Sequence, residues 1–185
     1  ALIAALWVPF QAQAESADTV ENTPQQALVD KARLTFQSFM RDQSMIWFRN
    51  NFSQAKALLI IPSQIKGGFI VGLSGGSGVL IAKDPKSGQW SHPGFYTIGS
   101  LTFGLQIGGE VAEVIMVVQT ERALTKLYTS SVKLGGDTSL ALGPIGGGAK
   151  TGITADILSF ARSKGAYIGV SLEGALIKIR NTWNH

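Results

Sequence analysis

From Lys56 onward the chain is a series of short apolar runs separated by glycine, proline and polar turn residues, and this texture limits the fold more than any other feature. "KALLIIP" is a continuous apolar run stopped by proline, as in a strand buried on both faces. "GGFIVGLSGGSGVLIAK" carries two apolar runs around a glycine-rich stretch and is expected to form a hairpin with that stretch as its turn. In "SLTFGLQIGGE", Leu101, Phe103, Leu105 and Ile107 alternate with small or polar residues, which is strand periodicity. "VAEVIMVVQ", "VKLGGDTSLALGPIG", "AYIGVSLEG" and "ALIKI" read as further strands, "TADILSFARSKG" as either strand or short helix, and "TERALTKLYTS" as a short helix capped by Thr120. Short turns connect these segments without regular helical crossovers, which predicts a mainly antiparallel sheet. The many strand glycines predict strong bending towards a barrel-like core.

Ahead of the strands, Thr23 and Pro24 form a helix start signal. Leu28, Ala32, Phe36, Phe39 and Met40 then recur at helical spacing, which predicts an amphipathic helix with Lys31, Arg33 and Arg41 mostly off its apolar stripe. The next cluster, "MIWFRNNF", is expected to seal that helix onto the core, with direct membrane insertion the lesser alternative. Residues 15–24 lack periodicity and read as a flexible leader. Before them, the apolar run Ala1–Phe10 followed by Ala12-Gln13-Ala14 reads as the remnant of a signal peptide, residues 1–14, cleaved after Ala14. That predicts a periplasmic or secreted protein. With no cysteine in the sequence, such a protein draws nothing from disulfides and has no lipidation site.

All 16 Lys and Arg lie at or beyond Lys31, whereas four of the 12 carboxylates, Glu15, Asp18, Glu21 and Asp30, precede it. The folded part is therefore decidedly basic, which suits anionic partners. The motifs exclude several chemistries. "GPIGGGAKTG" imitates a phosphate-binding loop, yet Pro144 and Ala149 stand where that loop needs glycine, and proline also removes an N–H donor. Gly143, Gly146, Gly147 and Gly148 are therefore expected to serve a tight backbone bend. "GLSGGSG" opens no helix and fails the dinucleotide pattern, so no nucleotide is expected. Of two histidines, His92 lies in a turn and His185 ends the sequence, which leaves no metal site and no nucleophile–His pair. Glu110, Glu113 and Glu173 could be an acid/base set, but carboxylates at strand ends and turns are commoner. The basic residues are scattered, with no nucleic-acid reader motif. The residues thus point to a protein that is not an enzyme and uses no cofactor.

Six blocks in one order carry a resemblance: "GGFIVGLSGGSGVLIAK", "WSHPGFYTIG", "FGLQIGGE", "ERALTKL", "KLGGDTSLALGPIG" and "SKGAYIGVSLEGA". Together they resemble the SYLF domain family of lipid-binding proteins over about residues 25–183. The resemblance implies an α+β fold, an N-terminal amphipathic helix packed on a strongly curved, barrel-like sheet with short helices, in a single domain over residues 25–185. It also implies a non-enzymatic domain that binds phospholipids, phosphoinositides in eukaryotic members, some of which also bind actin. In the family, basic residues before the first strand are implicated in membrane contact, and Lys31 and Arg33 occupy that stretch. The expected lipid-binding surface is Lys31, Arg33, Phe36, Phe39, Arg41 and Trp47, with Lys56 and Lys66 as outlying cations. The alternative is an envelope structural or interaction protein that binds another protein or a wall polymer. Two departures stand out. Gly147 replaces a basic residue frequent in the family, and "RNTWNH" stops short of the usual tyrosine-rich and aliphatic tail, so a closing strand is expected to be missing.

Overall fold

A computed structural model describes residues 23–62, 74–100, 106–107, 110–129, 131–146, 153–163, 166–169 and 172–184. Residues 1–22, with the signal-peptide remnant and most of the leader, Lys66, the first apolar run of the expected hairpin, most of "SLTFGLQIGGE", and Gly147 and Gly148 lie outside them. The chain opens with helix α1 (Pro24–Arg41), where the Thr23 hydroxyl accepts from the Gln26 N–H at 3.2 Å and Pro24 takes a first-turn position. Asp42 ends the helix in extended conformation, and its carboxylate caps a 3-10 turn at Gln43–Met45 before the short helix α2 (Ile46–Asn51).

The strands β1 (Ala57–Ile61), β2 (Ser74–Ala82), β3 (Gly94–Ser100), β6 (Glu113–Val118), β7 (Val132–Lys133), β8 (Leu140–Leu142), β9 (Ile157–Ser163), β10 (Ala166–Ile168) and β11 (Leu176–Ile179) form one nine-stranded sheet. Its order is β10-β9-β6-β1-β2-β3-β11-β7, with β8 added alongside β9. Every pairing is antiparallel except β8 with β9. The sheet curls into a half-barrel. A separate two-stranded ribbon joins β4 (Gln106–Ile107) to β5 (Glu110–Val111). The α+β class, the curled and mainly antiparallel sheet and the N-terminal helix are as expected from the sequence. Residues 157–163 are strand, which settles the ambiguous segment.

Period-two alternation sends side chains to two cores. On one face Leu59, Ile61, Leu80, Tyr96, Val114, Met116 and Ile157 are buried beneath helix α3 (Glu121–Thr129), which contributes Ala123, Leu124 and Leu127. The Thr120 hydroxyl caps α3 by accepting from the Ala123 N–H at 3.2 Å. On the other face Leu58, Ile60, Val79, Phe95, Ile115, Val117, Leu158 and Phe160 are covered by α1 and α2. Burial on both faces explains why β1 reads as an uninterrupted apolar run.

The expected glycine-rich turn is a correction: Gly75, Gly76 and Gly78 lie inside β2, paired with β3. At Gly78 a Cβ would meet Ile61 Cγ1 and Leu59 Cδ1 at 3.1 Å each, so the missing side chain makes room for the neighbouring strand's core residues. In the loop after β8, Gly146 serves the backbone as expected. Gly146 has a φ of 71°, and its N–H donates to the Ser44 carbonyl at 2.8 Å, which holds the loop against the α1–α2 corner. A Cβ at Gly143 would sit 2.1 Å from the Phe160 ring. Gly143→Ala is therefore expected to lower stability by about 1–3 kcal/mol through overpacking. Urea unfolding checks this, and an unchanged midpoint would show that the loop can move off the ring.

Candidate functional site

Helix α1 has two dissimilar sides. Inward, Ala32, Thr35 and Phe39 are buried, with Leu28, Val29, Phe36 and Met40 packed around them. Outward, Lys31, Arg33 and Arg41 are exposed, and with them Leu34, whose side is 58% open to solvent. An exposed leucine among cations was missed by the sequence reading, although its position off the apolar stripe was visible there.

The helix is fixed to the sheet by a buried polar cluster. Glu113 of β6 and Arg162 of β9 face each other directly across the ladder. The Arg162 guanidinium donates to the Glu113 carboxylate at 2.7 Å and reaches Asp42, at the end of α1, at 3.3 Å. It also donates to the Ser38 hydroxyl and, at 3.3 Å, to the Ser38 carbonyl. Thr35 completes the set by donating to Glu113 at 3.2 Å. The guanidinium plane lies over the Phe39 ring at 4.7 Å, so the same side chain that closes the ion pairs also packs. Burial opposes ionisation of Asp42, but hydrogen bonds from Ser44 and Arg162 outweigh it and hold the carboxyl below its ordinary range. Glu113 therefore belongs to a clamp and not to an acid/base pair.

The aromatic residues divide differently from expectation. Phe39 is fully buried, so it is removed from the surface set: its ring is the floor beneath Arg162 and makes an edge contact with Phe48. Phe36 is half-buried, edge-on to Phe48 and Phe52 at 6.0 and 5.3 Å. Trp47 is also half-buried and stacks on Phe160 at 5.8 Å. These rings seal α1 and α2 onto the sheet, as the packing reading of "MIWFRNNF" anticipates. Lys56 sits apart at the start of β1, and its ammonium pairs with Glu121 at 3.1 Å. The cations that α1 brings to one surface are thus Lys31, Arg33 and Arg41.

A second polar hub lies at the opposite core. Asp156 accepts from the Thr120 hydroxyl at 2.7 Å, from the Ser139 hydroxyl and N–H at 2.8 and 2.9 Å, and from Arg122. Burial alone would raise its pKa, but these bonds prevail and depress it well below the usual carboxylate range. It ties the start of α3, the approach to β8 and the start of β9 together. Among the described residues, no group of three or more His, Asp or Glu could hold a metal ion, and no helix is long and apolar enough to cross a membrane.

A curled, mainly antiparallel sheet with an ion-clamped amphipathic helix packed on one face defines an α+β domain that displays a basic helical surface. The comparisons agree with the resemblance: residues 99–185 match the Ysc84 family, described as "Las17-binding protein actin regulator". The chain belongs to this Ysc84, or SYLF, family. Human SH3 domain-containing YSC84-like protein 1 is 35% identical over 137 residues, covering 71% of this chain and 40% of that protein. The Xenopus laevis protein of the same name is 35% identical over 136 residues, covering 70% and 40%. Protein YSC84 of Saccharomyces cerevisiae is 32% identical over 138 residues, covering 71% and 29%. The match thus spans 40% or less of the length of these relatives.

Two outcomes test the clamp and the hub. Arg162→Ala, which leaves Glu113 and Asp42 without their buried partner, is expected to cost about 3 kcal/mol; Arg162→Met, which keeps the packing on Phe39, is expected to cost less, as read by urea midpoints. For Asp156, the folded pKa lies below the unfolded one, so its contribution is complete above about pH 4 and fades as pH falls further. Asp156→Asn should be less stable at neutral pH and show a shallower loss of stability below about pH 4. Parallel pH profiles for the two proteins would rule the hub out as an acid-sensitive tie.

Proposed function

We propose that the domain binds anionic phospholipid membranes without catalysing a reaction, through the outward face of α1. The observation that carries this reading is the composition of that face: Lys31, Arg33 and Arg41 are exposed beside an exposed Leu34, on a helix whose inward side is locked to the sheet. Cations near a bilayer each contribute about 1 kcal/mol with anionic lipid, and a leucine at the interface adds apolar burial. Because the clamp holds α1 in place, the face is organised before contact, and binding does not require the helix to be ordered first. Lys31 and Arg33 also lie in the stretch that the family resemblance connects with membrane contact. Phe36 and Trp47 support the surface from beneath. The same signal-peptide reading that predicts cleavage after Ala14 leads us to place this activity outside the cytoplasm. Recovery of protein beginning at Glu15 from expressing cells supports that placement, and an uncleaved amino terminus opposes it.

A protein partner is the second reading, favoured by the description of the matching family model as Las17-binding and an actin regulator. For this chain the partner class would be an envelope protein or wall polymer, docked on the curled sheet.

Co-sedimentation separates the two. Wild-type protein is expected to pellet with phosphatidylglycerol-containing vesicles and not with phosphatidylcholine alone, with binding that weakens as salt rises. Reversal of Lys31, Arg33 and Arg41 to Glu should lower affinity at least about a hundredfold, at about 1 kcal/mol for each charge lost and more for reversal. Equal binding to neutral and anionic vesicles, or no effect of the triple reversal, would sink the electrostatic mechanism. Absence of vesicle binding with capture of one stoichiometric protein would favour the second reading.

A further inference from the structure

The sheet face that carries α1 changes character beyond β2. Rows of paired residues run across it: Val79 opposite Phe95 belongs to the core, but the next row is Ser77, Thr97 and Lys178, and the one after is Gly75, Gly99, Leu176 and Lys133. Facing partners in an antiparallel ladder lie on the same side, so hydroxyls, glycines and the exposed Leu176 form the surface here, with cations at its margin. Lys178 is exposed, and a Cβ at Gly99 would meet no atom within 4 Å. Arg180, just past β11, crosses the shelf and donates to the Ser77 hydroxyl at 3.2 Å, with its guanidinium held over the Trp183 ring at 3.4 Å.

The ordinary explanation of a lysine on a sheet is protection of an edge, and it suffices for Lys133 on the terminal strand β7. At Lys178 the ladder is closed on one side only, against Thr97 of β3, because the pairing with β7 ends at Ile177; edge protection covers that lysine but not Arg180, which is bonded back across the sheet to Ser77. Nor is Lys178 or Arg180 ion-paired to a carboxylate among the described residues. Ser77 accepts from Arg180, which leaves its own proton to donate. An ammonium, a fixed guanidinium and a hydroxyl donor therefore share one face of the sheet, beside the open surface at Gly99. That donor-only set complements an acceptor-only dianion.

We propose that this shelf binds a phosphomonoester group, with Lys178 and Arg180 as its charged contacts and Ser77 as a neutral donor. The proposal depends on the membrane reading only for the source of the phosphate, a lipid headgroup presented beside α1 or a soluble ester.

Trp183 provides the reporter. Titration of the full chain with glycerol 3-phosphate, read by tryptophan emission, is expected to saturate, and Trp183→Phe is expected to remove most of the change. Lys178→Glu should weaken the titration about tenfold, the loss of one charge contact plus reversal. Gly99→Val should weaken it comparably by filling the open surface without changing charge, and its open surroundings make it the variant most certain to fold. In parallel, phosphatidylcholine vesicles containing phosphatidic acid are compared with vesicles of matched charge containing phosphatidylglycerol. A preference for phosphatidic acid that is lost in Lys178→Glu and Gly99→Val, and kept at reduced overall affinity in the α1 charge reversal, supports a lipid source. Saturable glycerol 3-phosphate binding without vesicle binding supports the shelf with a soluble ligand and removes the membrane reading. No saturable titration, together with an unchanged vesicle preference in both shelf variants, overturns the shelf whether or not the protein binds membranes.

Discussion

One arginine joins the two layers of this domain. Arg162 bridges Glu113 on the neighbouring strand to Asp42 and Ser38 at the end of α1, and rests on Phe39 as it does so. A guanidinium suits this position because it supplies several donors in one plane and an apolar face for stacking. A buried charge cluster of this kind is weak evidence for added stability, since desolvation opposes the attraction between its members. Its consequence here is positional. With both carboxylates paired to the guanidinium, although its Nε is buried without a hydrogen bond, α1 has one favourable seat on the sheet, and its outward residues are fixed with it.

That seat determines what the outer surface can be. Phe39 is drawn into the core as the floor of the clamp, while Phe36 and Trp47 fill the seam around it. The apolar contribution at the surface comes from Leu34, flanked by cations. The loop following β8 strengthens the same corner, because Gly146 bonds to Ser44 and Gly143 admits the Phe160 ring. The opposite core has an independent tie at Asp156, which gathers α3 and two stretches of the sheet. The helical surface and the shelf beyond β2 thus lie side by side on one face of the sheet, each held by its own contacts.

Much of this was legible in the sequence, for local reasons. Thr23 and Pro24 marked the start of α1, helical spacing named its inward side, and the proline-bounded run "KALLIIP" gave β1. The glycines of "SGGSG" misled because a turn and a crowded strand both favour glycine. Which applies depends on Leu59 and Ile61 of the adjacent strand, and that neighbour is chosen by the fold. Phe39 misled for a similar reason. Helical periodicity placed it on the inward stripe, but only the arrival of Arg162, distant in sequence, made it a fully enclosed ring.

The sequence by itself determined the element types, the basic character of the folded part and the lack of a phosphate loop, because these follow from spacing and composition along the chain. The tertiary structure decided which charges are consumed internally and which are left for a partner. Glu113, Arg162 and Asp42 come from separate segments and pair with one another, whereas Lys31, Arg33, Arg41 and Lys178 remain exposed. The physical reason is distance. Ionic pairing acts within a few ångströms, and sequence separation says little about which side chains a curled sheet brings that close.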